Sequence, residues 1–184
     1  KAILDKNPKV KVVKFELEMG KRAINTKYLS LFSGVSSIKI RNGQINDEER
    51  EKITSAAVKM KEYDGRLFIY DDVYDLHKMT KICRSIGADV CFVDFITLMD
   101  GVADDKRNEL GRIAQYAKRF AKANNMAWIF YSQLNRDGEK EKRLPTATDL
   151  AESDQLTQLA SEILLLHYNF KWSFEEKERK VLWL

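Results

Sequence analysis

Hydrophobic positions along the chain fall into short apolar runs separated by stretches with a helical repeat. Lys9 to Glu16 alternates and then fills with Val10, Val12, Val13, Phe15 and Leu17, the pattern of a strand ending near Leu17 and Glu18. Ile24, Tyr28 and Leu31 then recur at i, i+4 and i+7, and Gly34 stands where a helix stop is expected. Asn46 with Glu49 three residues on has the form of a capping box. Ile53, Ala56, Ala57 and Met60 then share one helix face until Asp64 and Gly65. Leu67–Tyr70 reads as a second strand. Asp75 is placed to cap a helix carrying Met79, Ile82, Cys83 and Ile86, which Gly87 ends.

Two further runs carry more information. Val90–Val93 stops at Asp94 within an apolar stretch reaching Met99, and Trp128–Tyr131 stops at Ser132 and Gln133. Both are rich in β-branched and aromatic residues, as buried parallel strands are. Between them one amphipathic helix, from about Asp105 to Asn125, carries Leu110, Ile113, Ala114, Ala117, Phe120 and Ala121 on a stripe. A strand, helix, strand unit with a right-handed crossover puts both polar tips at one carboxyl edge, where open α/β sheets bind ligands. Beyond it the pattern gives a polar loop from Leu134 to Thr148, a short helix near Asp149–Leu159 and an apolar strand at Ile163–Leu166. A charged excursion at Lys171–Lys180 then returns to apolar Val181–Leu184. The alternation predicts one α/β domain over residues 1–184, with a mainly parallel sheet flanked by helices.

At 184 residues and 44% hydrophobic content, a substantial core is expected and no run is long enough to cross a membrane, so a cytoplasmic location with no membrane partner is expected. There is no signal-peptide pattern. The first residue is Lys, which suggests an excised or processed piece of something longer. The net charge of +4 is too small to establish a nucleic-acid partner. Its distribution says slightly more: residues 1–27 carry eight basic and three acidic side chains, and residues 136–143 four basic and three acidic. Cys83 and Cys91 fall on an apolar helix face and inside a strand, which predicts reduced core residues. His77 and His167 have no Cys or His partner at ligand spacing, so no metal cage made by the protein alone is expected.

Glu18, Asp94 and Gln133 are the polar groups expected to meet at the sheet's carboxyl edge. Such a trio suits nucleotide hydrolysis: an Asp holds Mg²⁺ through water, a Glu orients the attacking water, and a Gln senses the γ-phosphate.

The words Phe15-Glu16-Leu17-Glu18-Met19, Val93-Asp94-Phe95-Ile96-Thr97-Leu98-Met99, Ser132-Gln133-Leu134-Asn135-Arg136 and Arg143 through Ser153 resemble four successive motifs of the DnaB-type replicative helicases, in that family's order and at about its spacing. Arg41 to Glu49 resembles the family's connection between its first two helices, so the likeness covers nearly the whole chain. The resemblance implies a RecA-like P-loop NTPase fold, incomplete at both ends, and a motor driven by ATP and Mg²⁺ that forms six-membered rings around single-stranded DNA during replication. It implies the catalytic glutamate at Glu18, the Mg²⁺-holding Walker B aspartate at Asp94, and at Gln133 the glutamine that couples the γ-phosphate to DNA-binding loops. Asp149, Ala151, Glu152 and Ser153 match part of a loop that touches the DNA backbone. Arg136, Lys140, Lys142 and Arg143 are the cations beside it. Primase and a helicase loader are the further partners implied.

Departures from the family pattern carry expectations too. The phosphate-cradling G-x-x-x-x-G-K-[ST] is absent: before Gly20-Lys21, Phe15 stands where its first glycine belongs, and Arg22 stands where the hydroxyl belongs. The chain by itself is therefore expected to be inactive. The family's trans-acting basic finger falls just beyond a strand like Val181–Leu184. Ala151 stands where many members have Arg, and Asp154 where they have Gly. The alternative function is a RecA-like or degenerate ATPase that binds nucleic acid or a partner without unwinding.

Overall fold

The computed structural model describes residues 1–100, 106–135, 143–150 and 154–166. They form two compact units. The first is Lys1–Asp100 with Arg119–Tyr131, and the second holds the described residues of 101–118 and 132–184.

In the first unit the order is α1 (Ala2–Lys6), β1 (Val12–Glu16), α2 (Lys21–Ser33), α3 (Ser37–Asn42), α4 (Asp47–Met60), β2 (Leu67–Tyr70), α5 (Leu76–Ile86) and β3 (Val90–Asp94). The end of α6 (Lys106–Asn124) and β4 (Ala127–Phe130) complete it. The four strands are all parallel, in the order β2-β1-β3-β4. Val12 pairs with Leu67 on one side and Val90 on the other, and Val90 pairs with Ala127, so the four strands are in step.

Side chains alternate between the two faces of this sheet. One face carries Val13, Phe15, Cys91 and Val93, all fully buried; buried Met79 and Cys83 come from α5. Phe15 stacks on Tyr70 at 5.6 Å, and Phe120 of α6 meets Trp128 edge-on at 6.0 Å. The opposite face carries Val12, Leu67, Val90 and Phe92, which cluster with Leu4 of α1, Phe32 of α2 and Tyr63. Lys14, Glu16 and Asp94 lie on this second face by the same alternation.

Local signals account for the helix ends. Asn46 accepts the Glu49 amide at 2.8 Å while the Glu49 carboxylate accepts the Asn46 amide at 3.1 Å, closing the capping box. Asp75 accepts the Lys78 amide at 2.7 Å. Gly34 and Gly87 end α2 and α5 at φ 73° and 67°, a conformation that a Cβ disfavours. On α4, Ala56 is buried but Ala57 faces solvent, so the apolar stripe is narrower than its sequence pattern. Helices α1 and α3 have no counterpart in the hydrophobic pattern, since each is short and buries little.

The second unit contains the first part of α6, with Leu110, Ile113 and Ala117 buried, a 3-10 turn at Ala147–Asp149, and α7 (Asp154–Leu159). Lys118 of α6 donates to the Leu159 carbonyl at 2.8 Å. Thr157 of α7 donates to the Ala147 carbonyl at 3.4 Å. The strand expected at Ile163–Leu166 is not formed: this segment has no regular secondary structure, with Leu164 87% and Leu166 82% exposed. An apolar run becomes a strand only when another strand takes its backbone hydrogen bonds, and none of the described strands pairs with it. The segments 167–184, with His167 and the expected return at Val181–Leu184, lie outside the described residues.

Candidate functional site

Asp94 is the last residue of β3 and the register partner of Glu16, the last residue of β1. One residue on, the Leu17 amide donates to the Asp94 carbonyl at 2.7 Å, and Tyr74 donates its hydroxyl to the Leu17 carbonyl at 3.4 Å. These bonds fix the start of the β1–α2 connection against the end of β3. Glu18 follows in that connection with its side chain exposed. The structure therefore brings Glu18 and Asp94 to the carboxyl edge of two adjacent parallel strands. Glu18 stands in a bend, not on a helix.

Two residues of this edge escaped the sequence reading. Glu16 is 2% exposed and forms an ion pair with Lys14, whose ammonium also lies 3.6 Å from Asp94. Burial and the neighbouring Asp94 push the Glu16 carboxyl above its usual range, with Lys14 opposing. Burial works against the Lys14 ammonium, yet Glu16, Tyr28 and Asp94 outweigh it and hold its pKa above the ordinary lysine value. Tyr28 and Tyr131 stand near the same charges, and burial raises both phenols. A cavity of about 160 Å³ opens beside Lys14, lined also by Tyr28, Phe32, Leu67, Phe92 and Tyr131. The signal was present in the sequence: Lys14, Glu16 and Glu18 recur with period two, the spacing of one strand face.

The Gly20-Lys21 pair starts α2, but the Lys21 amide is already taken by the Asp71 carboxylate at 2.7 Å, and the Lys21 ammonium lies 3.7 Å from the same group. This helix end is thus answered by protein. Both cysteines are buried and free, and burial pushes the Cys91 thiol far up, which fits an inert core residue. Among the described residues no group of three His, Cys, Asp or Glu side chains could cage a metal, and no helix is long and apolar enough to cross a membrane.

Gln133 belongs to the second unit, exposed and three residues beyond the end of β4. Directly after it, Leu134 forms an antiparallel bridge with Leu150, and the Asn135 amide donates to the Asp149 carbonyl at 2.7 Å. Asp149 is 3% exposed, its carboxylate held by both arms of the Arg143 guanidinium and by Thr146. Arg143 first, and then the Thr146 amide, keep that carboxyl far below the usual range. Arg136, Lys140, Lys142, Ala151, Glu152 and Ser153 lie outside the described residues.

The sequence pattern of the DnaB-like helicase C-terminal domain matches residues 1–182. The chain is 31% identical over 173 residues to the replicative DNA helicase DnaB of Rickettsia bellii, covering 89% of this chain and 34% of that protein. It is 29% identical over 161 residues to the replicative DNA helicase DnaB of Leifsonia xyli, covering 83% and 35%. A solved DnaB-like replicative helicase, studied for its interactions with primase, superposes with a TM-score of 0.83 at 22% identity, over 93% of this chain and 43% of that one. That likeness is one of fold, a parallel sheet flanked by helices as in RecA-like ATPase domains. The chain spans about a third of the length of the curated relatives it matches.

Proposed function

The chain belongs to the DnaB-like helicase C-terminal domain family, and from that premise we propose that it is the ATP-hydrolysing motor of a replicative DNA helicase. The observation that carries this reading is the register of β1 and β3, which sets Glu18 and Asp94 at one carboxyl edge in a parallel sheet.

The Asp94 side chain is 27% exposed at that edge and offers the hard oxygen ligand that Mg²⁺ takes; Mg²⁺ is commonly bound through one or two carboxylates, waters and substrate phosphates. The residues present fit such an ion, with Asp94 holding it through water. Bound there with ATP, Mg²⁺ would neutralise charge on the phosphates. Glu18, exposed at the same edge, orients the attacking water. Lys14 keeps the Glu16 charge matched beneath the site. Gln133 senses the γ-phosphate, and residues 149–153 pass its movement to single-stranded DNA. Arg136, Lys140 and Lys142 supply phosphate contacts beside that loop. The working unit is a hexameric ring with primase and a loader as partners, in the cytoplasm.

The test joins this domain to a G-x-x-x-x-G-K-[ST] segment and assays unwinding of a forked DNA. ATP-dependent strand separation is expected. Tight binding of single-stranded DNA with no separation and no ATP turnover would instead favour the binding-module alternative.

A further inference from the structure

The turn Thr146–Leu150 is built around one buried carboxylate. Arg143 donates Nη1 to Asp149 Oδ2 at 2.6 Å and Nη2 to Oδ1 at 2.8 Å. Thr146 donates its backbone N–H to Oδ2 at 2.8 Å and its hydroxyl at 3.0 Å. A guanidinium fork fixes the plane of a carboxylate as well as its position, which a lysine cannot do. Arg143 Nη1 also reaches the Leu144 carbonyl at 3.3 Å, so the guanidinium is aimed into the turn.

The residue that Arg143 grips by its side chain grips the chain after Gln133 by its backbone. The Asp149 carbonyl accepts the Asn135 amide at 2.7 Å, and Leu150 bridges Leu134. Along the covalent chain Asn135 and Asp149 are fourteen residues apart. Through this bond they are neighbours. Thr157 ties α7 to the same turn through the Ala147 carbonyl, so the turn is held from two sides.

We infer that the Arg143–Asp149 pair is a bolt: a positioning pair that locks the segment following Gln133 to the turn Thr146–Leu150, so that this segment and the turn move as one body. The functional half of the inference rests on the roles proposed above for Gln133 and for residues 149–153. Arg143 thereby acts through Asp149, and not as a cation laid on a DNA phosphate. The short route for coupling is the Asn135–Asp149 bond, not the polar stretch between these residues.

The test has two arms. In hydrogen exchange, Arg143→Gln and Asp149→Asn should each speed exchange of the Asn135 amide by about tenfold, Arg143→Lys should fall between, and the β3 amides should keep their protection. Exchange at Asn135 unchanged in Arg143→Gln and Asp149→Asn overturns the bolt, whatever the protein does. In the ring joined to its phosphate loop, both variants should lower DNA-stimulated ATP turnover by about tenfold, with the double variant no worse than either. The salt dependence of single-stranded DNA binding should keep its wild-type slope, because every cation that meets a phosphate is still in place. A shallower slope for Arg143→Gln but not Asp149→Asn makes Arg143 a DNA contact and overturns the coupling role. So does undiminished DNA stimulation in both variants. A Gln133→Ala ring with wild-type DNA stimulation sinks the sensor role instead, while the exchange arm still decides whether the bolt exists.

Discussion

Glu16 and Asp94 are register partners at the ends of neighbouring parallel strands and share Lys14 as their cation. Two carboxylates placed side by side repel unless a positive charge stands with them, and Glu16 has almost no access to water. Lys14→Met should therefore destabilise the domain by about 3 kcal/mol, the lower end for breaking a buried pair, because Lys14 is itself partly exposed. Replacing both partners, Lys14→Met with Glu16→Leu, should recover most of that loss. Urea unfolding of the two variants checks it. Equal losses in the single and double variants would mean that the pair is not the source of the cost.

Tyr63 donates its hydroxyl to Asp5, which ties α1 to the turn before β2. Burial first, and Asp5 second, push the phenol from about 10 up to about 12. A group whose folded pKa is raised stabilises the fold fully below its unfolded value and loses that contribution as pH rises through the folded value. Stability should thus fall between pH 10 and 12 as Tyr63 ionises. Tyr63 should titrate near pH 12 by ultraviolet absorbance, and Asp5→Asn should lower that value without bringing it to 10. A phenol near 10 would contradict the buried hydrogen bond.

Much of the first unit is legible in the chain because its signals are local. Asn46 and Glu49 need only each other to make a cap, and Val90–Val93 and Trp128–Phe130 need only their own apolar character to suggest buried strands. The site is less legible because its parts are not local. Lys14 and Glu16 look like ordinary strand charges until β3 is laid beside β1 and Asp94 arrives at the same height. Arg143 reads as one more cation in a polar loop, and only the folded turn commits it to Asp149. Ile163–Leu166 shows the converse error: an apolar run supplies the desire for burial, but a strand also requires a partner's backbone.

The cations assigned to DNA separate into two kinds. Replacing Arg136, Lys140 and Lys142 together with Ala should weaken binding of single-stranded DNA without changing base preference. It should also make the salt slope shallower, by about 0.7 for each phosphate left without its cation. Fluorescence anisotropy across a salt series measures this. Wild-type affinity and slope in an intact ring would remove these residues from the DNA path.

The 184-residue chain on its own should neither saturate with Mg-ATP nor turn it over. In the proposed site Asp94 would supply only part of what holds Mg²⁺, and the chain's sequence contains no G-x-x-x-x-G-K-[ST] to cradle the phosphates with backbone N–H groups. Calorimetric titration and a phosphate-release assay check both parts. Robust turnover would show that another part of the chain holds the nucleotide.

Glu18 is the residue on which the motor reading turns, since the proposal gives Asp94 only the ion and leaves the attacking water to Glu18. The decisive measurement is single-turnover ATP hydrolysis by the ring joined to its phosphate loop, wild type against Glu18→Gln, with Mg-ATP affinity measured alongside. The expected result is unchanged affinity and a loss of hydrolysis of about a hundredfold or more. Hydrolysis at the wild-type rate in Glu18→Gln, with ATP bound, would contradict the assignment of this sheet edge as the catalytic site.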